Sequence, residues 1–199
     1  DNTALGAMAL TDNTTGTNNT GLGAYALYQT TTGVANTAVG FGAMYSNIDG
    51  STNTAVGRNA LYANIDGTNN TAVGYNALRF TTTGLYNTAV GHSALYNATN
   101  QRNTAVGRYA LFQQTSGSRN VALGMFAGGN SATGITTGSY NTILGTAVGS
   151  VTLSTGSYNI LIGGDNSVDT PAADTSYYLN IGNAVKLNMS DVTTTVAVI

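Results

Sequence analysis

Residues 53–69 read Asn-Thr-Ala-Val-Gly-Arg-Asn-Ala-Leu-Tyr-Ala-Asn-Ile-Asp-Gly-Thr-Asn, and the stretch from Asn70 to Tyr86 follows the same pattern. The opening pentapeptide, or a variant of it, recurs along the chain at a nearly constant interval. Its copies begin at Asn2, Asn19, Asn36, Asn53, Asn70, Asn87, Asn103, Asn120, Asn141 and Asn159, and a last one spans residues 178–182. Self-similarity of this kind is the signature of a repeat architecture, here of about eleven units.

The consensus unit, N-T-A-V-G-x-x-A-L-Y-x-x-x-x-G-x-x, indicates two short strands, Thr-Ala-Val and Ala-Leu-Tyr, each followed by a turn. The unit is too short for two helices, and neither step carries a helical stripe. We therefore predict an all-β fold, a parallel β-solenoid or β-roll of about eleven coils. At roughly 4.8 Å per coil the rod is about 50 Å long. The glycines expected at the first turn include Gly40, Gly57, Gly74 and Gly91.

Two invariant columns suggest how the coils pack. One coil buries little more than a Val and a Leu, so a single roll has a thin core. The alanine column, which includes Ala43, Ala60, Ala77 and Ala94, predicts a second packing surface where only a methyl group fits. We expect this surface to meet the same surface of other chains in an intertwined or closely packed homotrimer. The asparagine column predicts a ladder of side-chain hydrogen bonds from coil to coil.

Composition narrows the function classes. Only 7% of residues are charged, cysteine is absent, there is a single histidine, and the net charge is −2. Nucleic-acid binding needs a basic face, and metal sites built from His and Cys need more of both residues. No apolar run reaches the roughly 18–20 residues of a membrane helix. We expect no catalytic residues, no metal, no cofactor, no nucleic-acid partner and no membrane insertion.

The repeat is regular at first and then loosens. After Asn120 the interval lengthens, so that the next copies begin at Asn141 and Asn159, and Pro171 lies in an Asp-rich loop. We divide the chain into a β-roll region, 1–164, and an irregular last coil, loop and C-terminal cap or connector, 165–199. Residues 192–199 have a strand-like composition.

The NTAVGxxALY units, with spacers such as Asn13-Thr14-Thr15-Gly16, resemble the repeats of phage and prophage tail-fibre proteins. In that family such repeats often precede an intramolecular chaperone domain of the endosialidase type, and residues 177–183 look like the bridge to it. The units are also similar to head repeats of trimeric autotransporter adhesins, although the unit in this chain is longer. The resemblance implies a trimeric, left-handed parallel β-roll on a virion or outside the cell.

One column stands out because it varies. The residue after the first glycine includes Arg58, Tyr75, His92 and Arg108, so the position is expected to face solvent. Stacked planar groups of this kind suit a sugar or an anionic polysaccharide, although an exposed column free to drift explains the same variation. Asp49 and Asp66 also stack in neighbouring coils. They suit a retaining glycosidase or a weak cation site, but Asp-Gly is also a turn signal.

Taken together, the sequence predicts a non-enzymatic, structural and adhesive segment of a trimeric extracellular fibre. The expected setting is a phage tail fibre that spaces or contacts the host surface. The alternatives are the head of a bacterial trimeric adhesin and, third, a fibre-borne polysaccharide depolymerase. The expected partners are two further copies of the chain and a polysaccharide or protein of the host surface.

Overall fold

The computed structural model describes residues 1–130 and 132–189, and every coil contributes one short strand. The strands are β1 Thr3–Leu5, β2 Thr20–Leu22, β3 Thr37–Val39, β4 Thr54–Val56, β5 Thr71–Val73, β6 Thr88–Val90, β7 Thr104–Val106, β8 Val121–Leu123, β9 Thr142–Leu144, β10 Ile160–Ile162, β11 Tyr178–Ile181 and β12 Val185–Asn188.

Strands β1 to β11 form a single parallel sheet in sequence order, so each strand pairs with the one from the next coil. The register places like residues side by side, for example Thr54 beside Thr71 and Val56 beside Val73. The predicted parallel β-solenoid with a repeat of about 17 residues is confirmed, with about ten turns. β12 differs, because it runs antiparallel to β11.

The predicted second strand, Ala-Leu-Tyr, is wrong: this segment is a corner. Ala60 and Leu61 are consecutive and both completely buried in the same interior, whereas the side chains of a pleated strand alternate between its two faces. Leu61 has φ 50° and Asn59 has φ 56°, so two residues of the corner adopt the left-handed conformation. The chain therefore turns here and directs both side chains inward.

The core lies inside the single chain, and this corrects two further expectations. The alanine column with Ala43, Ala60, Ala77 and Ala94 is completely buried within one coil stack, so it is not a surface for other chains. In the strand, Ala55 points inward and Val56, which was expected in the core, is 37% exposed. Side chains one residue apart face opposite sides of a sheet, and here the smaller one faces the narrow interior.

In the later coils the large core side chain moves from the corner to the strand. Glycines 128 and 149 take the corner position of leucine, while Ile143 and Leu161 take the inward strand position of alanine. A Cβ on Gly128 would lie 2.7 Å from Leu111 and 3.1 Å from Ile143. The lost and gained methylenes offset each other, so the interior volume is kept.

The first-turn glycines set how closely the coils approach. Gly40, Gly57, Gly74 and Gly91 have φ between 130° and 132°, a conformation that L side chains rarely adopt. A Cβ on Gly57 would lie 2.6 Å from the Gly74 carbonyl oxygen of the next coil. Only glycine meets both conditions.

The asparagine column forms the predicted ladder, and it is buried throughout its regular part. Asn120 illustrates the pattern. Its Oδ1 accepts from the backbone N–H of Asn141 at 2.9 Å, and its Nδ2 donates to the Gly138 carbonyl at 2.8 Å. The backbone-to-Oδ1 bond recurs at 2.9–3.0 Å in the pairs that join Asn19, Asn36, Asn53, Asn70 and Asn87. These side chains satisfy backbone groups that the short strands leave unpaired.

The last coil is closed by acidic side chains that accept backbone hydrogen bonds. The Asp169 carboxylate accepts from the N–H groups of residues 151–153 at 2.8–3.0 Å. Hydrogen bonds from the Ser167 side chain and backbone lower the pKa of Asp165. The boundary at residue 164 stays a prediction, and the strand-like residues 192–199 lie outside the described residues.

We expect Gly57→Ala to lower the free energy of unfolding by roughly 3 kcal/mol or more, because it combines backbone strain with a clash against the next coil. Urea denaturation measures the change. Gly164→Ala is the matched control, since a Cβ there meets nothing within 4 Å. Equal effects of the two substitutions would contradict the role assigned to the glycine column.

Removing one ladder asparagine should also be costly. Asn120→Ala leaves the Gly138 carbonyl and the Asn141 N–H without their partners, and each loss costs about 1–3 kcal/mol. We expect a total of about 3 kcal/mol in thermal or urea unfolding. Asn166→Ala is the control, because Asn166 is exposed and its side chain has no hydrogen bond among residues 1–130 and 132–189.

Candidate functional site

The column that follows the first glycine lies on the outside of the rod. Arg58, Tyr75, His92 and Arg108 are all exposed, and Tyr75 retains 41% of its surface. Phe41 holds the same position in the coil before Arg58 and is also exposed. These residues hold successive positions because each follows a glycine that ends a strand of the in-register sheet.

The structure brings three of the four side chains into one stack. Arg58 lies 5.9 Å from the centre of the Tyr75 ring, and Tyr75 lies 5.0 Å from His92. Arg108 instead packs over Tyr109 at 4.8 Å, and His92 meets that ring edge-on at 5.1 Å. The ring faces are therefore covered by neighbouring side chains. The groups that the column still offers to a ligand are ring edges, a phenol hydroxyl and guanidinium groups.

A second aromatic column, which the sequence shows as the tyrosine of the consensus unit but to which no role was assigned, follows the buried corner. Tyr45 stacks between Tyr28 and Tyr62 with centroid distances of 5.0 Å on both sides. Desolvation is the main cause that raises the pKa of the Tyr45 phenol, and the neighbouring Tyr62 and Tyr28 add to it. Tyr96 and Phe112 continue the pattern at 4.8 Å. The unit's recurring aromatic residue is thus explained by stacking between coils.

A third column, also missed, consists of the residue before each ladder position, which is an asparagine in most coils and Tyr178 in the last. Tyr140, Tyr158 and Tyr177 are 41–45% exposed and stack at 4.7 and 4.8 Å with nearly parallel rings. Arg119 packs over Tyr140 at 5.0 Å, and Arg102 packs over Tyr86 at 5.6 Å. The sequence did contain a signal for this column. The residue before the asparagine varies from coil to coil, as the residue after the first glycine does, and such variation indicates an exposed position.

An aliphatic ridge runs along the outer face of the sheet. It follows the third residue of the strands, and its side chains are exposed or half-exposed. The ridge comprises Leu5, Leu22, Val39, Val56, Val73, Val90, Val106, Leu123, Leu144, Ile162 and, in register with Ile162, Ile181. Sequence reasoning placed this position in the core, because a uniform column of Val and Leu is typical of buried positions.

Asp49 and Asp66 are both exposed on the turn of their coils. The Asp49 carboxylate accepts hydrogen bonds from the hydroxyls of Thr32 at 2.6 Å and Thr31 at 3.3 Å in the preceding coil. In the part of the chain that the structure describes, no three His, Cys, Asp or Glu side chains are grouped as a metal site would need. The contacts of Asp49 are those of a turn residue that ties two coils together.

Among the described residues, no helix is long and apolar enough to cross a membrane. Comparison with protein-family models, with curated proteins and with solved structures found no match to this chain.

The tyrosine column should contribute to stability through stacking between coils. We expect Tyr158→Leu to cost about 1–2 kcal/mol of unfolding free energy, because Tyr158 stacks on a ring in both neighbouring coils. Tyr86→Leu is the matched control, since Tyr86 has a similar φ, 58° against 62°, and stacks on no aromatic ring among the described residues, while Arg102 lies over its ring. If both substitutions cost the same in urea unfolding, ring stacking is not what stabilises this column.

Proposed function

We propose that this chain is a structural and adhesive segment of an extracellular fibre, assembled from three copies and belonging to a phage tail fibre. The observation that carries the proposal is the aliphatic ridge, which spans the sheet from Leu5 to Ile181 on the outside of a single chain. A continuous exposed apolar row of this length marks an interaction surface. Isolated exposed leucines would not mark an interaction surface, because single exposed apolar side chains are common in monomeric proteins.

The ridge suits packing of identical rods side by side. The first and third residues of a strand lie on the same outer face, so a row of threonines, such as Thr54 and Thr71, runs beside the ridge. No charged residue lies within strands β1 to β11. Cyclic symmetry around an axis parallel to the rods would bury this uncharged face in every copy. The resemblance to trimeric fibre repeats favours three copies.

The internal bonding supports a mechanical role. Each coil is tied to the next by the parallel strands, by the asparagine ladder and by corner bonds such as Leu61 N–H to the Ala77 carbonyl at 3.0 Å. All of these bonds join one coil to the next, so a load is shared by many equivalent bonds. Such a segment would serve as a stiff spacer, and we assign it no catalytic role.

The exposed columns support contact with the host surface. Arg58, Tyr75, His92 and Arg108 offer cationic and hydrogen-bonding groups that would meet a polysaccharide or protein of the host. The same surface would also suit the head of a bacterial trimeric adhesin, which is the second candidate. In that case the chain would lie on a cell surface and not on a virion.

The trimer is tested by placing a charge on the ridge. We expect the unmodified chain to have three times the 20.2 kDa mass of one copy in light scattering, and Val73→Asp to lower it to one. Val73 is 36% exposed in the single chain, so its replacement does not bury a charge within the coil stack.

Thr137→Asp is the control, since Thr137 is exposed and lies outside the strands. It should keep the mass of the parent. Circular dichroism checks that the Val73→Asp chain stays folded. A single-copy mass for the parent, or a three-copy mass for the Val73→Asp variant, would contradict assembly through the ridge.

A further inference from the structure

One coil of the regular region is a residue short. The coil from Asn87 to Arg102 has one residue fewer than the coil from Asn70 to Tyr86, and it lacks the glycine that closes the others. Asn100 replaces the missing glycine as acceptor: Asn87 Nδ2 donates to its carbonyl at 2.6 Å, as Asn70 Nδ2 donates to the Gly84 carbonyl at 2.7 Å. The asparagine ladder therefore continues while the turn beside it contracts.

The contracted turn removes an acceptor from the coil below it. Elsewhere, two or three consecutive N–H groups of the turn converge on one carbonyl of the next coil, as those of residues 31–33 do on Ile48 at 3.0–3.2 Å. The equivalent N–H groups of Thr82, Thr83 and Gly84 have no acceptor within residues 1–130 and 132–189. Three adjacent backbone donors are thus left free at this turn.

Two of these donors, the N–H groups of Thr83 and Gly84, belong to residues that line a notch in the side of the rod. The notch has a volume of about 240 Å³ and is lined by residues 83–85 and 99–101 and by Ser118. Within this lining the Thr99 hydroxyl donates to the Thr115 carbonyl at 2.7 Å, and the Asn100 amide donates to the Ser116 carbonyl. The side chains of Thr83 and Gln101 have no hydrogen bond within residues 1–130 and 132–189, so their hydroxyl and amide groups are open to a ligand. The volume is below the roughly 300 Å³ at which drug-sized ligand sites begin, so it fits a single sugar unit better than a larger molecule.

The edge of the notch carries the third exposed column. Leu85, Gln101 and Ser118 line the notch, and the residues that directly follow them are Tyr86, Arg102 and Arg119. Tyr86 is 52% exposed and Arg102 lies over its ring. Neither guanidinium forms an ion pair with a carboxylate of the described residues. Arg119 donates one hydrogen bond to the Tyr140 hydroxyl, and the other N–H groups of its guanidinium stay unpaired within the described part of the chain. Two cationic side chains therefore directly follow lining residues of the notch that holds the free backbone donors of Thr83 and Gly84.

We infer that this notch binds a carboxylate-bearing sugar of an acidic surface polysaccharide. Successive free N–H groups form an anion site, and a planar guanidinium pairs with a carboxylate through two hydrogen bonds. The Thr83 hydroxyl and the Gln101 amide match the hydroxyls of a sugar, and Tyr86 supplies an aromatic surface at the edge. The inference rests on the proposed host-surface contact and names the ligand class for one place on the rod.

The test is a glycan array that carries uronate, sialate and phosphorylated saccharides, each beside its neutral counterpart. We expect the chain to retain a carboxylate-bearing saccharide and not its neutral counterpart. Arg102→Gln with Arg119→Gln should weaken that binding roughly tenfold or more, because charge-assisted hydrogen bonds are lost. A glycine inserted between Asn100 and Gln101 restores the full-length coil and should weaken binding equally while the melting temperature is kept.

The control is Arg79→Gln with Lys186→Gln, which removes the same charge from residues that neither line the notch nor directly follow a lining residue, and it should leave binding unchanged. Retention of no carboxylate-bearing saccharide by the parent would overturn the inference, as would retention of phosphorylated saccharides alone or equal binding by the insertion variant. The inference would also be overturned if binding of the saccharide were lost with Arg58→Gln and Arg108→Gln but kept in the notch variants. That result would place the ligand on the first exposed column. Each of these outcomes leaves the three-copy mass, and with it the fibre assembly, separately measurable.

Discussion

The stacking of each residue on its counterpart one coil away is the constraint on which the rest of the structure depends. It favours residue types whose side chains can bind an identical side chain in the next coil. Asparagine does so because it carries both a donor and an acceptor, and tyrosine does so through its ring. Like charges stacked at about 5 Å repel one another, so a chain built this way has little room for ionised residues. The 7% charged composition agrees with this constraint, and the like-charged pairs that do occur in neighbouring coils, such as Asp49 and Asp66, lie on the exposed surface.

The same constraint explains where sequence reasoning succeeded. The sheet, its parallel order and the asparagine ladder all follow from identical residues at equal spacing, and the fixed period made them predictable. The corner did not follow, because Leu61 adopts φ 50° although leucine has no preference for the left-handed conformation. That conformation results from the packing of Ala60 and Leu61 into a narrow interior, which only the closed coil defines.

The surface was predictable only in part. Variation identified the column of Arg58 and Tyr75, because a position that accepts cations and aromatic rings faces water. The ridge had the opposite appearance, since uniform Val and Leu are usual in cores. Whether Val56 or Ala55 points inward depends on which side of the strand the coil closes. The notch could not be predicted for another reason. The pentapeptide recurs one residue early at Asn103, which shows that the coil before it is shortened, but the sequence does not show which backbone N–H groups lose their acceptor.

The antiparallel strand β12 has a consequence for self-association. A stack of parallel, in-register strands has the geometry of a cross-β fibril, and its last strand can template the addition of another chain. Here β12, Val185–Asn188, occupies the free edge of β11 with Tyr178 paired to Asn188 and Ile181 to Val185. The edge groups of β11 are already satisfied by its own chain. Growth by adding strands to β11 is blocked, so the parallel order of the sheet stops at β11 and does not extend there like amyloid.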